Sequence, residues 1–357
     1  MKKLKFFLKW ILIPLLFFVV TSAIILLNPS FNGEIERISF HSNINLEGVL
    51  IKPSGNGPYP AILLLHGSGS THQDYDKAYF KYHANAFLEK GFAVMIYSKR
   101  SSKDVDYKYF IYEDLLGDAN AAISFLRKSK DIDSQNIGVM GLSESGWFTP
   151  QLVYQNPDIR FLINRVSSPL NVLQTIFHEI KSDALEEGFT NEEVENVILP
   201  MHERICRFYI DIHEAKISAK GLERDQINVE LKRLNEHKHF GKWFNFSKLN
   251  DYDSLEYASQ AKRLSYDPFP YFKKIQIPML YVMAGKDKNI PTKIVVDTLR
   301  ISKQLYGKDI TIKVYPEASH YLYKYGLNDG PFEGWMYYDD YLNLMANWAQ
   351  EKVNKND

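Results

Sequence analysis

Short runs rich in apolar residues, recurring along the chain, set the strongest limit on its fold. They lie at residues 61–65, 92–97, 137–140, 161–166, 279–283 and 310–315. Runs of this length and continuity indicate strands covered on both faces, as in a parallel sheet. Two further strand-like runs, 34–40 and 46–52, precede them. Helix-compatible segments at about 74–89, 113–127, 147–155, 291–305 and 336–352 separate or follow the runs. Strand alternating with helix over this length predicts a doubly wound α/β fold. The rhythm breaks between residues 170 and 265, where charged helical sequence stands in place of strands. Within it, Thr190-Asn-Glu-Glu193 is a capping box that opens a helix. That helix is expected to kink at Pro200 and to continue to Lys220, with Gly221 as its stop. A second helix is expected over 224–237. We read this stretch as a helical cap inserted between two core strands and covering the site.

The third run ends in Gly141-Leu142-Ser143-Glu144-Ser145-Gly146 and leads into the helix-compatible segment beginning at Trp147. Strand, tight turn and helix form the setting of a nucleophile elbow, in which the turn lifts a serine hydroxyl clear of the backbone. A turn so tight needs nearly bare residues two before and two after the serine, and Gly141 and Ser145 meet that need. Ser143 is therefore the predicted nucleophile.

A serine hydroxyl needs a base, and the base needs an orienting acid. The run 279–283 leads into Gly285-Lys286-Asp287, which places the acid at Asp287. The run 310–315 leads into Pro316-Glu317-Ala318-Ser319-His320, which places the base at His320. Both stand just past a strand, in the order Ser, Asp, His. Glu317, Asp251 and Asp253 are the rivals for the acid. The run 61–65 ends in His66-Gly67-Ser68-Gly69, a turn able to aim backbone N–H groups at a ligand. The oxyanion donors are read as the backbone N–H of Ser68 and of Glu144. His66 is read as structural. The Glu144 side chain is read as solvated or salt-bridged, and Asp114 and Asp118 as helix-surface charges.

Taken together, His66-Gly-Ser-Gly, Tyr97-Ser-Lys-Arg100, Gly141-Leu-Ser-Glu-Ser-Gly-Trp147, Gly285-Lys-Asp287 with Pro291, and Ala318-Ser-His320 resemble the α/β-hydrolase superfamily. The resemblance is greatest to its bacterial esterases related to dienelactone hydrolases and to the prolyl-oligopeptidase-like, S9-related group. It covers about residues 34–169 and 266–352 and leaves 170–265 unmatched. It implies a mostly parallel eight-stranded sheet. It also implies cofactor-free hydrolysis of esters, thioesters or peptides through an acyl-enzyme. Two residues depart from the pattern: Ser145 stands where Gly is usual, and Ser98 where Asp is common.

The remaining sequence narrows the function by exclusion. Basic and acidic residues balance at 43 each, so no global basic field points to nucleic acid. The pairs His178-Glu179, His202-Glu203 and His213-Glu214 have no second His four residues on, so zincin spacing is absent. No metal or cofactor site is expected. A dehalogenase or epoxide hydrolase would need Asp at position 143. Lys2, Lys3, Lys5 and Lys9 flank an uncharged run from Trp10 to Leu27, about 27 Å long as a helix and close to a bilayer core. Residues 1–30 are therefore expected to form a single-pass membrane anchor with the body extracytoplasmic; a cleaved signal segment and secretion are the alternative. Cys206, the single cysteine, is expected to be buried rather than reactive. The expected partner is a small-molecule ester. Peptidase or thioesterase action on the same triad, and a non-catalytic binding role of the fold, stand as alternatives. The aromatics Trp243, Phe244 and Phe246 in the cap suggest an apolar acyl or aryl group.

Overall fold

A computed structural model describes residues 13–18, 29–68, 78–100, 109–218, 220–244, 249, 253–324 and 337–353. Most of the predicted anchor lies outside these residues, as do Gly69, Asp251 and Phe246. Among the described residues no helix is long and apolar enough to cross a membrane.

The strands are β1 (Glu34–His41), β2 (Asn45–Lys52), β3 (Tyr59–Leu65), β4 (Ala93–Tyr97), β5 (Ile132–Leu142), β6 (Phe161–Arg165), β7 (Met279–Ala284) and β8 (Ile310–Tyr315). They form one eight-stranded sheet in the order β1-β2-β4-β3-β5-β6-β7-β8. β1 pairs antiparallel with β2, and β2 with β4; the remaining pairs are parallel. Core helices are α1 (Ala78–Leu88), α2 (Tyr112–Lys128), α3 (Ser145–Gln155), and, after the insertion, α8 (Thr292–Tyr306) and α9 (Tyr341–Val353). Burial explains the unbroken apolar runs. Ala61, Leu63 and Leu65 of β3 join one hydrophobic cluster, while Ile62 and Leu64 join the other. Side chains alternate across a strand, so a sheet clothed on both faces needs apolar residues at every position.

Between β6 and β7 the chain is helical: α4 (Val172–Glu186), α5 (Leu199–His213), α6 (Leu222–Glu236) and α7 (Ser254–Leu264). These helices share a cluster of their own, with Val194, Ile198, Phe208, Ile227, Leu231, Phe244 and Tyr257 at its centre. The capping box forms, with Glu193 N donating to Thr190 Oγ1 (3.2 Å) and Thr190 N donating to Glu193 Oε2 (2.8 Å). Pro200 cannot donate the next helical bond, and a π turn over Val194–Ile198 leads into α5 there. α5 then ends at His213, short of the expected Lys220. Ala215 adopts left-handed φ (57°), which breaks the helix before Gly221. Gly221 instead caps the start of α6. Trp243 and Phe244 pack in the insertion's own core; Phe244 is fully buried there, and Trp243 Nε1 donates to His202 Nε2 (3.0 Å).

Candidate active site

The nucleophile turn is built from close backbone approaches. Ser143 is held at φ 50°, a strained value for a side-chain-bearing residue. Its N–H bonds Arg165 O (3.0 Å), and Gly146 N bonds Ser143 O (2.9 Å). A Cβ on Gly141 would stand 2.9 Å from Thr149 Cγ2. A Cβ on Gly146 would stand 2.2 Å from Ser167 Cβ, so any side chain there would collide with Ser167. Ser145 fits where Gly is usual because its hydroxyl is absorbed by the turn: Oγ accepts from Leu142 N (2.6 Å) and donates to Leu142 O (2.9 Å).

The acid and base loops are tied to each other before any side chain is considered. Gly285 N donates to Tyr315 O (2.8 Å) and Lys286 N to Ala318 O (2.9 Å). A Cβ on Gly285 would lie 2.2 Å from Pro316 O, so only glycine allows this approach. Asp287, its side chain fully buried, accepts at Oδ1 from Asn289 N (2.9 Å) and Ile290 N (3.0 Å). His320 Nδ1 lies 2.9 Å from both Asp287 oxygens, and His320 Nε2 lies 3.0 Å from Ser143 Oγ. A carboxylate can only accept, so Nδ1 carries the proton in that bond and Nε2 is left to accept from the Ser143 hydroxyl. The rival acids among the described residues, Glu317 and Asp253, stand elsewhere. Glu317 is exposed and pairs with Lys286 (2.5 Å), while Asp253 caps α7 and accepts from Tyr109 OH (2.7 Å).

A cavity of about 440 Å³ opens on this group and is lined by Ser68, Ser143, Glu144 and His320. Gly67 abuts the nucleophile: a Cβ on it would lie 3.3 Å from Ser143 Cβ. His66 Nε2 bonds Tyr97 O, as its structural reading requires. The Glu144 carboxylate is buried against Lys99. The insertion supplies one side of the cavity through Val172, Thr175, Ile176 and Glu179 of α4 and Gln260, Arg263 and Leu264 of α7. Its aromatic wall comes from Tyr112, Trp147 and Tyr321, whereas Trp243 and Phe244 are absent from it.

Several groups at or beside the site had no legible signal in the sequence. Asp118 is buried, not a surface charge, and bonds Arg100 through Nε (2.7 Å) and Nη2 (2.6 Å). Burial raises its pKa, against the pull of Arg100. The insertion also holds the acid loop residue by residue. His178 Nε2 donates to Asp287 O (3.2 Å), Lys288 pairs with Glu186, and Asn289 Nδ2 donates to Glu179 Oε1 (2.5 Å). Burial raises the Glu179 pKa. The His178-Glu179 pair thus serves this contact. Among the described residues no group of three or more His, Cys, Asp or Glu is placed to hold a metal.

The comparisons agree with this architecture. The BD-FAE family model matches residues 48–160. Esterase EstD of Thermotoga maritima is 26% identical over 283 residues, 77% of this chain and 57% of that protein. The chain thus spans little more than half of that relative's length. Acylaminoacyl peptidase of Pyrococcus horikoshii superposes with a TM-score of 0.55 at 18% identity, covering 91% of this chain and 43% of that one. A 2,6-dihydroxy-pseudo-oxynicotine hydrolase superposes with a TM-score of 0.53 at 16% identity, covering 90% and 68%. The fold is that of the α/β-hydrolases. Within it, the chain resembles the serine hydrolases of the esterase and S9-related type.

Proposed function

We propose that this protein is a serine hydrolase that cleaves carboxylic esters of small molecules through an acyl-enzyme. The observation that carries the reading is the unbroken line Asp287–His320–Ser143, whose Ser143 and His320 line a cavity of suitable size. As Ser143 Oγ attacks the ester carbonyl, its proton passes to His320 Nε2, and Asp287 stabilises the imidazolium through Nδ1–H. Charge gathering on the carbonyl oxygen is met by the backbone N–H groups of Ser68 and Glu144. His320 then protonates the departing alkoxide. In the second half-reaction His320 takes a proton from water, the hydroxide attacks the acyl carbon, and the acid leaves with Ser143 restored. Esterase EstD supports ester cleavage as the reaction.

Residues 170–265 act as the cap over a core formed by residues 34–169 and 266–352. The support is the separate hydrophobic cluster of the insertion and its share of the cavity wall. At the N-terminus, residues 1–30 form a single-pass anchor holding the hydrolase outside the cytoplasm, with secretion after cleavage as the alternative. The uncharged run after Lys9 supports this, and extraction by detergent but not by alkaline carbonate tests it.

Turnover of p-nitrophenyl esters of rising acyl length, set against matched p-nitroanilides and acyl thioesters, tests the reaction. Ester hydrolysis lost in Ser143→Ala is the expected result. Faster cleavage of anilides or thioesters would move the assignment to a peptidase or a thioesterase. No turnover of any of them would contradict it.

A further inference from the structure

We infer that Lys99 is a positioning residue of the oxyanion hole, its single ammonium holding both residues whose backbone N–H groups meet the acyl oxygen. The inference rests on the proposed reaction. Lys99 follows the end of β4 and is buried. Its Nζ donates to Gly67 O (3.0 Å) and to the Glu144 carboxylate, and it lies 5.5 Å from the centroid of the Phe110 ring.

The first contact acts through the peptide plane. Gly67 C=O and Ser68 N–H are the two ends of one peptide unit, and that unit is trans. In a planar trans peptide the carbonyl and the N–H point in opposite directions. An ammonium drawing the Gly67 carbonyl to one side therefore turns the Ser68 N–H to the other. A glycine at this position is otherwise free to rotate its peptide, so the aim of the N–H needs an external hold. Gly67 lies against Ser143, so an error in that aim falls directly on the oxygen of the carbonyl under attack.

The second contact acts through charge. Glu144 contributes the other N–H, yet its carboxylate is buried beside the place where negative charge develops. An unneutralised carboxylate there would oppose the oxyanion, in surroundings where water screens little. Lys99 cancels that charge and fixes the residue that carries it. Ordinary buried ion pairs add little net stability against an apolar replacement, so packing alone gives Lys99 no special need of this arrangement.

The test uses the full chain and three variants: Lys99→Met, Lys99→Arg, and Lys99→Met combined with Glu144→Gln. The combined variant also removes the Glu144 charge, so that a folding defect of Lys99→Met is not mistaken for a catalytic one. The readouts are kcat and KM for p-nitrophenyl butyrate and the inhibition constant of a trifluoromethyl ketone, whose adduct on Ser143 carries the oxyanion. Losing one oxyanion donor outright costs about 10²–10³ in kcat, so a misaimed donor is expected to cost about 10–100-fold. We expect that fall in kcat for the combined variant, KM within about twofold, and a matching weakening of the ketone. The arginine variant, keeping the charge, should recover part of both. A lower melting temperature with unchanged kcat and unchanged ketone affinity would overturn the inference and leave a structural ion pair. If wild type hydrolyses no ester and takes no phosphonate at Ser143, the proposed reaction itself has failed, and the role of Lys99 falls with it.

Discussion

Ser143, His320 and Asp287 come from three strand ends that lie far apart in sequence and meet within hydrogen-bond distance. In the proposed chemistry Asp287 sets the imidazole tautomer. Asp287→Asn should therefore lower kcat by about 10⁴-fold while circular dichroism and melting stay near wild type. A loss under tenfold would point to another orienting acid. The positions of these residues were legible because each follows an apolar run, and the runs mark the strands. Asp118 was not legible, because what buries it is Arg100, which reaches α2 from the end of β4. A charge spaced along a helix face looks solvated until its partner's position is known. Lys99 was hidden in the same way: its partners Gly67 and Glu144 follow β3 and β5, strands that pair side by side.

α4 is the element on which the insertion and the acid loop meet. Its His178, Glu179 and Glu186 hold Asp287, Asn289 and Lys288. A hydrogen bond to a charged group contributes about 1.5–3 kcal/mol. Glu179→Ala should therefore speed amide hydrogen exchange in α4 by about tenfold or more and leave β5 and β7 unchanged. Asn289→Ala keeps its backbone bond to Asp287 and should loosen α4 to the same degree; α4 exchange at the wild-type rate in both variants would contradict the clamp. The strands and core helices of the fold follow their sequence signals closely because burial on both sheet faces imposes continuous runs. The insertion carries weaker signals. α4 and α7 turn polar and charged residues, Glu179, Gln260 and Arg263, toward the cavity, which blurs the helical stripe. The end of α5 was set by Ala215 in a left-handed conformation, a choice no side chain announced.

At the scale of the whole molecule, two clusters clothe the sheet and a third stands inside the insertion. One buried group ties α1, α9 and the sheet together. His83 Nδ1 donates to Tyr79 O (2.7 Å), and its Nε2 accepts from Tyr341 OH (2.7 Å), whose oxygen also receives Arg165 Nε. Tyr337 packs edge-on against the same imidazole. Burial, and then the Arg165 charge, drive the His83 imidazole down to about 3. The unfolded chain thus binds this proton first as pH falls below about 6.5, and stability is lost progressively from there towards pH 3. Between those limits His83 should add a slope of about 1.4 kcal/mol per pH unit, to be read from urea melts at stepped pH. His83→Gln should remove that slope, and an unchanged slope would contradict the buried neutral imidazole. Cys206, half-buried on α5, has its thiol pushed up to about 11 by burial and by Glu203, consistent with a structural role. In the proposed reaction one serine, Ser143, is an activated nucleophile. The most direct test is reaction of the full chain with a fluorophosphonate, the adduct being located by peptide mass spectrometry. One phosphonate per chain, on Ser143, is expected, and none in Ser143→Ala or His320→Ala. Folded wild-type protein that remains unlabelled, or an adduct on another residue, would contradict it.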